Sequence, residues 1–321
     1  MANNLTGWLT IDRLNGEGNS VVTLNASTLA TLGERNASLK IKTSSKEAII
    51  NLYQQHYEEP LIPDNIPNNQ IWAKSTDGTI IDEFHPDSNF NVNLIEVELR
   101  LDGWSILTFD GDIRYIPNDM FYDFHSIKEV VIPKSVTSIG NSAFYNCRYL
   151  KSIYIPEGVT SIGRSAFYYC IYLTEITIPD SVTTIENSAF SDCQRLTSVD
   201  LGNGVTTIGG GAFYNCTSLA EITIPNSVTT IDGSIFSRCR ALTSVVLGNS
   251  VTSIGNRAFE NCKSLTEITC KAIVAPTIYE QTFATIASNG VLKYPSGSDY
   301  SKWLSSNRYY LGYYGWTGVP Y

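Results

Sequence analysis

Positive charge, histidine and long apolar runs are scarce in this sequence. Against 31 Asp and Glu there are 22 Lys and Arg, a formal net charge of −9. Nucleic-acid backbones and anionic membranes are held by a Lys/Arg surplus, so neither is expected as the main partner. No apolar stretch reaches the roughly 18 residues that cross a bilayer, so no membrane-spanning segment is expected. The opening MANNLTGWLT lacks the charged and apolar regions of a secretory leader, which leaves a leader either removed or never present. Only three histidines occur, His56, His85 and His125, in separate segments. There is no G-x-S-x-G, P-loop, H-E-x-x-H or dinucleotide glycine pattern. His85 lies near Asp82, Glu83 and Asp87, a weak grouping of metal-ligand types. No enzyme, metal or cofactor is therefore expected.

What is abundant is repetition. VTSIGNSAFYNC at 136–147 returns as VTSIGRSAFYYC at 159–170, 23 positions on. Phe121, Phe144, Phe167, Phe190, Phe213, Phe236 and Phe259 keep this step, and so do Cys147, Cys170, Cys193, Cys216, Cys239 and Cys262. A period of this length marks a solenoid, in which each unit buries its apolar edge only against its neighbours. In LTEITIPDSVTTIENSAFSDCQR, residues 173–195, L-x-x-I-x-I supplies the inward residues of a short strand that the proline ends. V-T-x-I is a second short extended segment, and A-F-x-x-C a turn or short helix closing the coil. From Trp104 to Cys270 there is room for just over seven coils, on the order of 35 Å at the strand spacing.

Cysteines at one spot of successive coils form a line, not a tetrahedral metal site or an irregular disulfide framework. They are read as a buried, reduced thiol row. Ser in place of Cys193 is then expected to cost about 1–3 kcal/mol by burying a hydroxyl among apolar groups, and Ala less. Two residues after the lead Leu the series runs Glu129, Ser152, Glu175, Ser198, Glu221, Ser244, Glu267. In a parallel ladder this alternation keeps like charges from facing each other directly.

The units, LTSVVLGNSVTSIGNRAFENCKS at 242–264 among them, resemble the BspA-type leucine-rich repeats of bacterial surface proteins. The resemblance covers roughly 104–270. It implies a mainly β, right-handed leucine-rich repeat solenoid with a concave sheet, a role in adhesion or in protein and glycan binding, and no catalytic motif. WLTIDRLNGEGNSVVTLNAS, followed by Arg35 and ending at Gln54 or Gln55, resembles the BACON domain, a small immunoglobulin-like β-sandwich of Bacteroidetes. That resemblance implies an association with carbohydrate-degrading and mucin-binding proteins. Trp8 is read as core of this module.

The organisation read from the chain is an Ig-like module at 1–58, a linker and N-terminal cap at 59–103, repeats at 104–270 and a C-terminal cap at 271–321. VLKYPSGSDYSKWLSS at 291–306 is expected to hold a strand and a short helix, capped by Ser298 or Asp299. The aromatic RYYLGYYGWTGVPY is read first as a lid over the last coil and second as a docking tail for another subunit, which leaves an oligomer possible.

Side chains that stacking does not require are the candidates for binding. The position after the repeat Phe holds Tyr122, Tyr145, Tyr168, Ser191, Tyr214, Ser237 and Glu260, and Tyr154 interrupts a strand column of Thr, Val and Asp. Tyr122, Tyr145, Tyr154 and Tyr168 are the candidate ligand residues, since tyrosine joins an apolar ring to a polar tip. Tyrosines that merely pad the coil edge are the alternative. The expected partner is a host glycoprotein, matrix protein or polysaccharide at a bacterial surface or outside the cell. The rival reading is a structural part of a phage appendage or other assembly.

Overall fold

A computed structural model describes residues 66–81, 84, 85, 90, 92–100 and 103–321. It also describes the strands Leu9–Ile11, Leu24–Ala26, Arg35–Lys42 and Glu47–Gln54 as backbone. The chain divides into two units at Asp64 and Asn65. In the first, Leu9–Ile11 pairs antiparallel with Leu24–Ala26, and Arg35–Lys42 antiparallel with Glu47–Gln54. The expected sandwich packing, Trp8, Gln55 and most of the linker lie outside the described residues, as do His56, Asp82, Glu83 and Asp87.

The second unit is a β-solenoid of about eight turns. Each turn has three sides. The first carries a longer strand, such as Glu175–Ile178 or Ser244–Leu247, paired in parallel one repeat on. The second carries a two-residue strand, Ser138–Ile139, Ser161–Ile162, Thr184–Ile185 and so on, also in parallel register. The third, expected as a turn or short helix, consists of turns. Its backbone bonds run between coils: the N–H of Phe144 donates to the carbonyl of Ala166, that of Phe167 to Ala189 and that of Phe190 to Ala212, at 2.7–2.8 Å. Inter-coil hydrogen bonds on three sides, together with turn bonds inside each coil such as Tyr145 N–H to Ser142 O and Cys147 N–H to Phe144 O, satisfy the backbone.

Two residues per turn sit in the left-handed region, for example Ser142 and Asn146, Ser188 and Asp192, Ser234 and Arg238. Asn and Asp tolerate this conformation best among side-chain-bearing residues. They fill the second of these positions as Asp123, Asn146, Asp192, Asn215 and Asn261, but Tyr169 (φ 61°) and Arg238 (φ 66°) stand there too.

One apolar core runs through the array. The repeat phenylalanines are fully buried and stacked nearly parallel, with centroids 5.1 Å apart from Phe144 to Phe167 and from Phe167 to Phe190. Glu129, Ser152, Glu175, Ser198, Glu221, Ser244 and Glu267 lie on the long-strand side, and each Glu aligns with a Ser across the ladder.

All seven cysteines are free and buried. Each repeat thiol donates to the carbonyl of the preceding coil's Phe, as Cys193 Sγ does to Phe167 O at 3.2 Å, in a series from Cys147 to Cys262. Burial raises the thiols above their ordinary range, Cys239 to about 12, so thiolate is scarce at neutral pH. This acceptor overturns the expected order of substitutions. A serine hydroxyl at 193 meets the Phe167 carbonyl, whereas alanine loses both the donor and the packing of the sulfur. Cys193→Ser should cost no more than Cys193→Ala, the lost hydrogen bond being worth about 1 kcal/mol. Urea unfolding midpoints measure this, and a serine variant clearly less stable than the alanine variant would contradict it.

The ends are closed differently. At the N-terminal end Gln70–Ser75 runs antiparallel between Ile127–Val131 and Trp104–Phe109, and Leu94–Leu99 forms the sheet edge beyond. Trp104–Phe109 is thus antiparallel to its neighbours, and the parallel register begins at Ile127–Val131. Phe84 and Phe90 set their rings edge-on against Phe109. At the other end the coils continue past Cys270. Thr277–Ile278 pairs with Ser253–Ile254, Phe283 stacks on Phe259 at 5.8 Å, and Val291–Tyr294 extends the long-strand sheet. Trp303 lies against Phe283 at 5.5 Å and its ring N–H donates to Pro276 O. Trp316 is buried and donates to Ala287 O, and Thr317–Pro320 adds a last parallel strand. The aromatic tail therefore covers its own final coil. The expected short helix is instead a turn in which Asp299 accepts the Ser301 N–H, while the buried Ser298 hydroxyl has no hydrogen-bond partner.

Candidate functional site

The turn side of the first three coils carries a surface that the core does not need. Tyr122, Tyr145 and Tyr168 follow the buried phenylalanines and face outward beside them. Their rings stack on one another, 4.7 Å and 4.9 Å between centroids and within 9° of parallel. The spacing follows from the coil repeat, since equal side chains on adjacent coils fall one strand spacing apart. The stacked run stops at Ser191, which is buried, and a tyrosine returns at this position only as Tyr214 one coil on.

A second column runs beside it. Tyr149 meets Tyr172 at 5.1 Å, and the guanidinium of Arg195 lies 4.0 Å from the Tyr172 ring centroid. Tyr169 adjoins Tyr168 at 6.1 Å and carries Arg148 over its face at 5.3 Å. Arg148 is held further by its Nε–H, which donates to Asn146 Oδ1 at 3.0 Å. Both arginines are exposed, and neither pairs with a carboxylate among the described residues.

Stacking decides what the surface can offer. The inner ring faces are occupied by other rings, and those of Tyr169 and Tyr172 also carry guanidinium groups. Open to solvent are phenol tips, positively polarised ring edges and guanidinium N–H groups. Burial, with Tyr122 and the carboxylates of Asp123 and Asp192, raises Tyr145 above the ordinary phenol range. Burial and Asp192 do the same for Tyr168. Both phenols keep their protons at neutral pH, with the Tyr168 hydroxyl directed to Asp192.

Tyr154 is not brought to this cluster. It lies 46% exposed on the long-strand side, in register with Val131, while Tyr122, Tyr145 and Tyr168 occupy the turn side. Arg148 and Arg195 escaped the sequence reading. The signal for Arg195 was the column Ser126, Tyr149, Tyr172, Arg195, in which an arginine continues a run of tyrosines; the column of Arg148, with His125, Ile171 and Gln194, gave none.

No cluster of three or more metal-ligating side chains occurs among the described residues. His125 contacts Asp123 and Asn146 at 3.2 and 3.1 Å. Among the described residues no helix is long and apolar enough to cross a membrane.

Several solved structures are similar to this chain. One is a Treponema pallidum leucine rich repeat protein, 32% identical over 45% of this chain and 71% of that one, with a TM-score of 0.43. Another is a leucine rich cell surface protein of Faecalibacterium prausnitzii, 28% identical over 67% of this chain and 71% of that one, TM-score 0.47. A third is a leucine-rich repeat protein of Bacteroides ovatus, 21% identical over 91% of this chain and 76% of that one, TM-score 0.38. No curated protein matches. The pattern described as BspA type Leucine rich repeat region matches in six copies, over residues 114–243 and 234–300. These matches span more than half of the sequence and coincide with the stacked coils, so the chain belongs to the family of BspA-type leucine-rich repeat proteins.

Proposed function

We propose that the chain is a non-enzymatic adhesion or binding protein of a bacterial surface, and that it holds a host protein through the turn side of its first three coils. The observation that carries this is the stacked column of Tyr122, Tyr145 and Tyr168. Later coils place Ser191, Tyr214, Ser237 and Glu260 at the same position, and those with Ser or Glu still stack through the phenylalanine column, so coil formation does not require the rings. Large, rigid side chains with polar tips are the usual anchors of protein interfaces. A sugar ring would need an open aromatic face, and the inner faces of this column are taken. Polysaccharide recognition falls more naturally to the N-terminal segment, for which we keep the BACON-like reading. The long-strand side, with Tyr154, is a secondary candidate surface.

The test is binding of the full chain to an array of matrix proteins and glycans, with the Tyr145→Ala, Tyr168→Ala variant beside it. A protein ligand should bind the variant at least ten-fold more weakly, while its melting temperature stays within a few degrees. Full affinity in a folded variant would remove the tyrosine column from the site.

A further inference from the structure

The partner's chemistry follows from what the rings and arginines leave exposed. We infer that Arg148, Tyr149, Tyr168, Tyr169, Tyr172 and Arg195 form a docking surface for an acidic, extended protein segment, a refinement that rests on the binding role proposed above. Arg148 and Arg195 lie two coils apart, about 10 Å at the strand spacing. Each guanidinium lies over a tyrosine face, at 5.3 and 4.0 Å. A guanidinium held this way keeps N–H edges directed outward, suited to carboxylate oxygens. Between them the phenol tips and ring edges add donors and positive polarity. The surface is rich in donors, although the chain as a whole carries −9, and the Asp192 carboxylate beside Tyr168 already accepts from Ser191 and Asn215. The surface therefore complements an acceptor-rich, negative partner and offers little to a cation, whose place over the rings the arginines already take.

The backbone at Tyr169 supplies a test of this surface. It holds φ 61°, at a position that Asn146 and Asn215 fill with φ 56–57°. Those asparagines donate to Asp123 and Asp192 of the preceding coils. A bulky residue in the left-handed region is strained, at Tyr169 as at Arg238 three coils on. Asparagine at 169 would relieve the strain and lie between Asn146 and Asp192 in the same ladder.

The experiment titrates the full chain with poly-L-glutamate, with polygalacturonate as a non-protein carboxylate polymer for comparison. Wild type should bind polyglutamate saturably, with affinity that falls as salt rises. The Arg148→Gln, Arg195→Gln variant should bind at least ten-fold more weakly with an unchanged melting temperature. Tyr169→Asn should bind more weakly and melt at a higher temperature, a combination that a purely structural tyrosine would not produce. Absent polyglutamate binding, unchanged binding by the arginine variant, or polygalacturonate binding as tight as polyglutamate would each overturn the inference. A protein ligand that needs Tyr145 and Tyr168 but tolerates the arginine variant would overturn it alone and leave the broader binding role standing.

Discussion

Phe190→Ala is expected to destabilise the array by about 3–5 kcal/mol. Phe190 is fully buried and meets a ring on each side, Phe167 at 5.1 Å and Phe213 at 5.4 Å. Collapse around the missing ring is resisted because the turn backbone is fixed on both sides. The Phe190 N–H is bonded to Ala212 O and the Phe167 N–H to Ala189 O. A cavity that cannot close keeps its full cost, and two aromatic contacts go with it. Each coil is stabilised by its neighbours, so the defect should weaken coils on both sides. Chemical denaturation reads the loss directly, with Phe190→Leu expected at less than half of it. An alanine variant within about 1.5 kcal/mol of wild type would mean that the coils slide together and the ladder is not rigid.

Removing the lid is the second large effect. Trp303→Ala should cost about 3–5 kcal/mol, roughly a 10 °C fall in melting temperature for a unit of this size. Deleting 295–321 should also cause aggregation, because it uncovers the terminal ring of the phenylalanine spine. Trp303 is fully buried, packs on Phe283 and donates to Pro276 O, while Tyr300 packs edge-on against it and donates to Ala272 O. An open solenoid end presents both apolar core and unpaired strand edges, the combination that templates association. The damage should start at that end. Amide exchange in Thr277–Ile278 and Val291–Tyr294 should accelerate first in Trp303→Ala, with Ser161–Ile162 and Thr184–Ile185 little changed. A deletion that stays monomeric with wild-type melting, or exchange raised evenly along the array, would show that 295–321 does not close the core.

The 23-residue step made most of the solenoid legible from the sequence. Coil length and the inward residues of each coil are local properties, and stacking copies them from one turn to the next. Phe190 and Cys193 could be assigned to the core from their columns alone, and the pairing of Glu175 with Ser198 from the alternation. Where the step changes, the pattern stops showing. Ser253 pairs with Thr277 and Phe259 stacks on Phe283, both 24 residues apart, so the eighth turn lay hidden inside what reads as a cap.

Other properties arise only when side chains from different coils meet. A column of tyrosines is visible in one dimension, but whether the rings turn faces or edges to solvent depends on their torsions and neighbours. Stacking at 4.7–4.9 Å makes it edges. Tyr154 shares a residue type with Tyr145 but lies on another side of the coil. Arg195 becomes part of the surface by lying over Tyr172, 23 residues away. The thiol of Cys193 acquires its acceptor from Phe167, 26 residues earlier, which reverses the order expected for Ser and Ala. A repeat states which residues recur, and folding adds the contacts between recurrences, because distance across the stack is set by coil spacing and not by position along the chain.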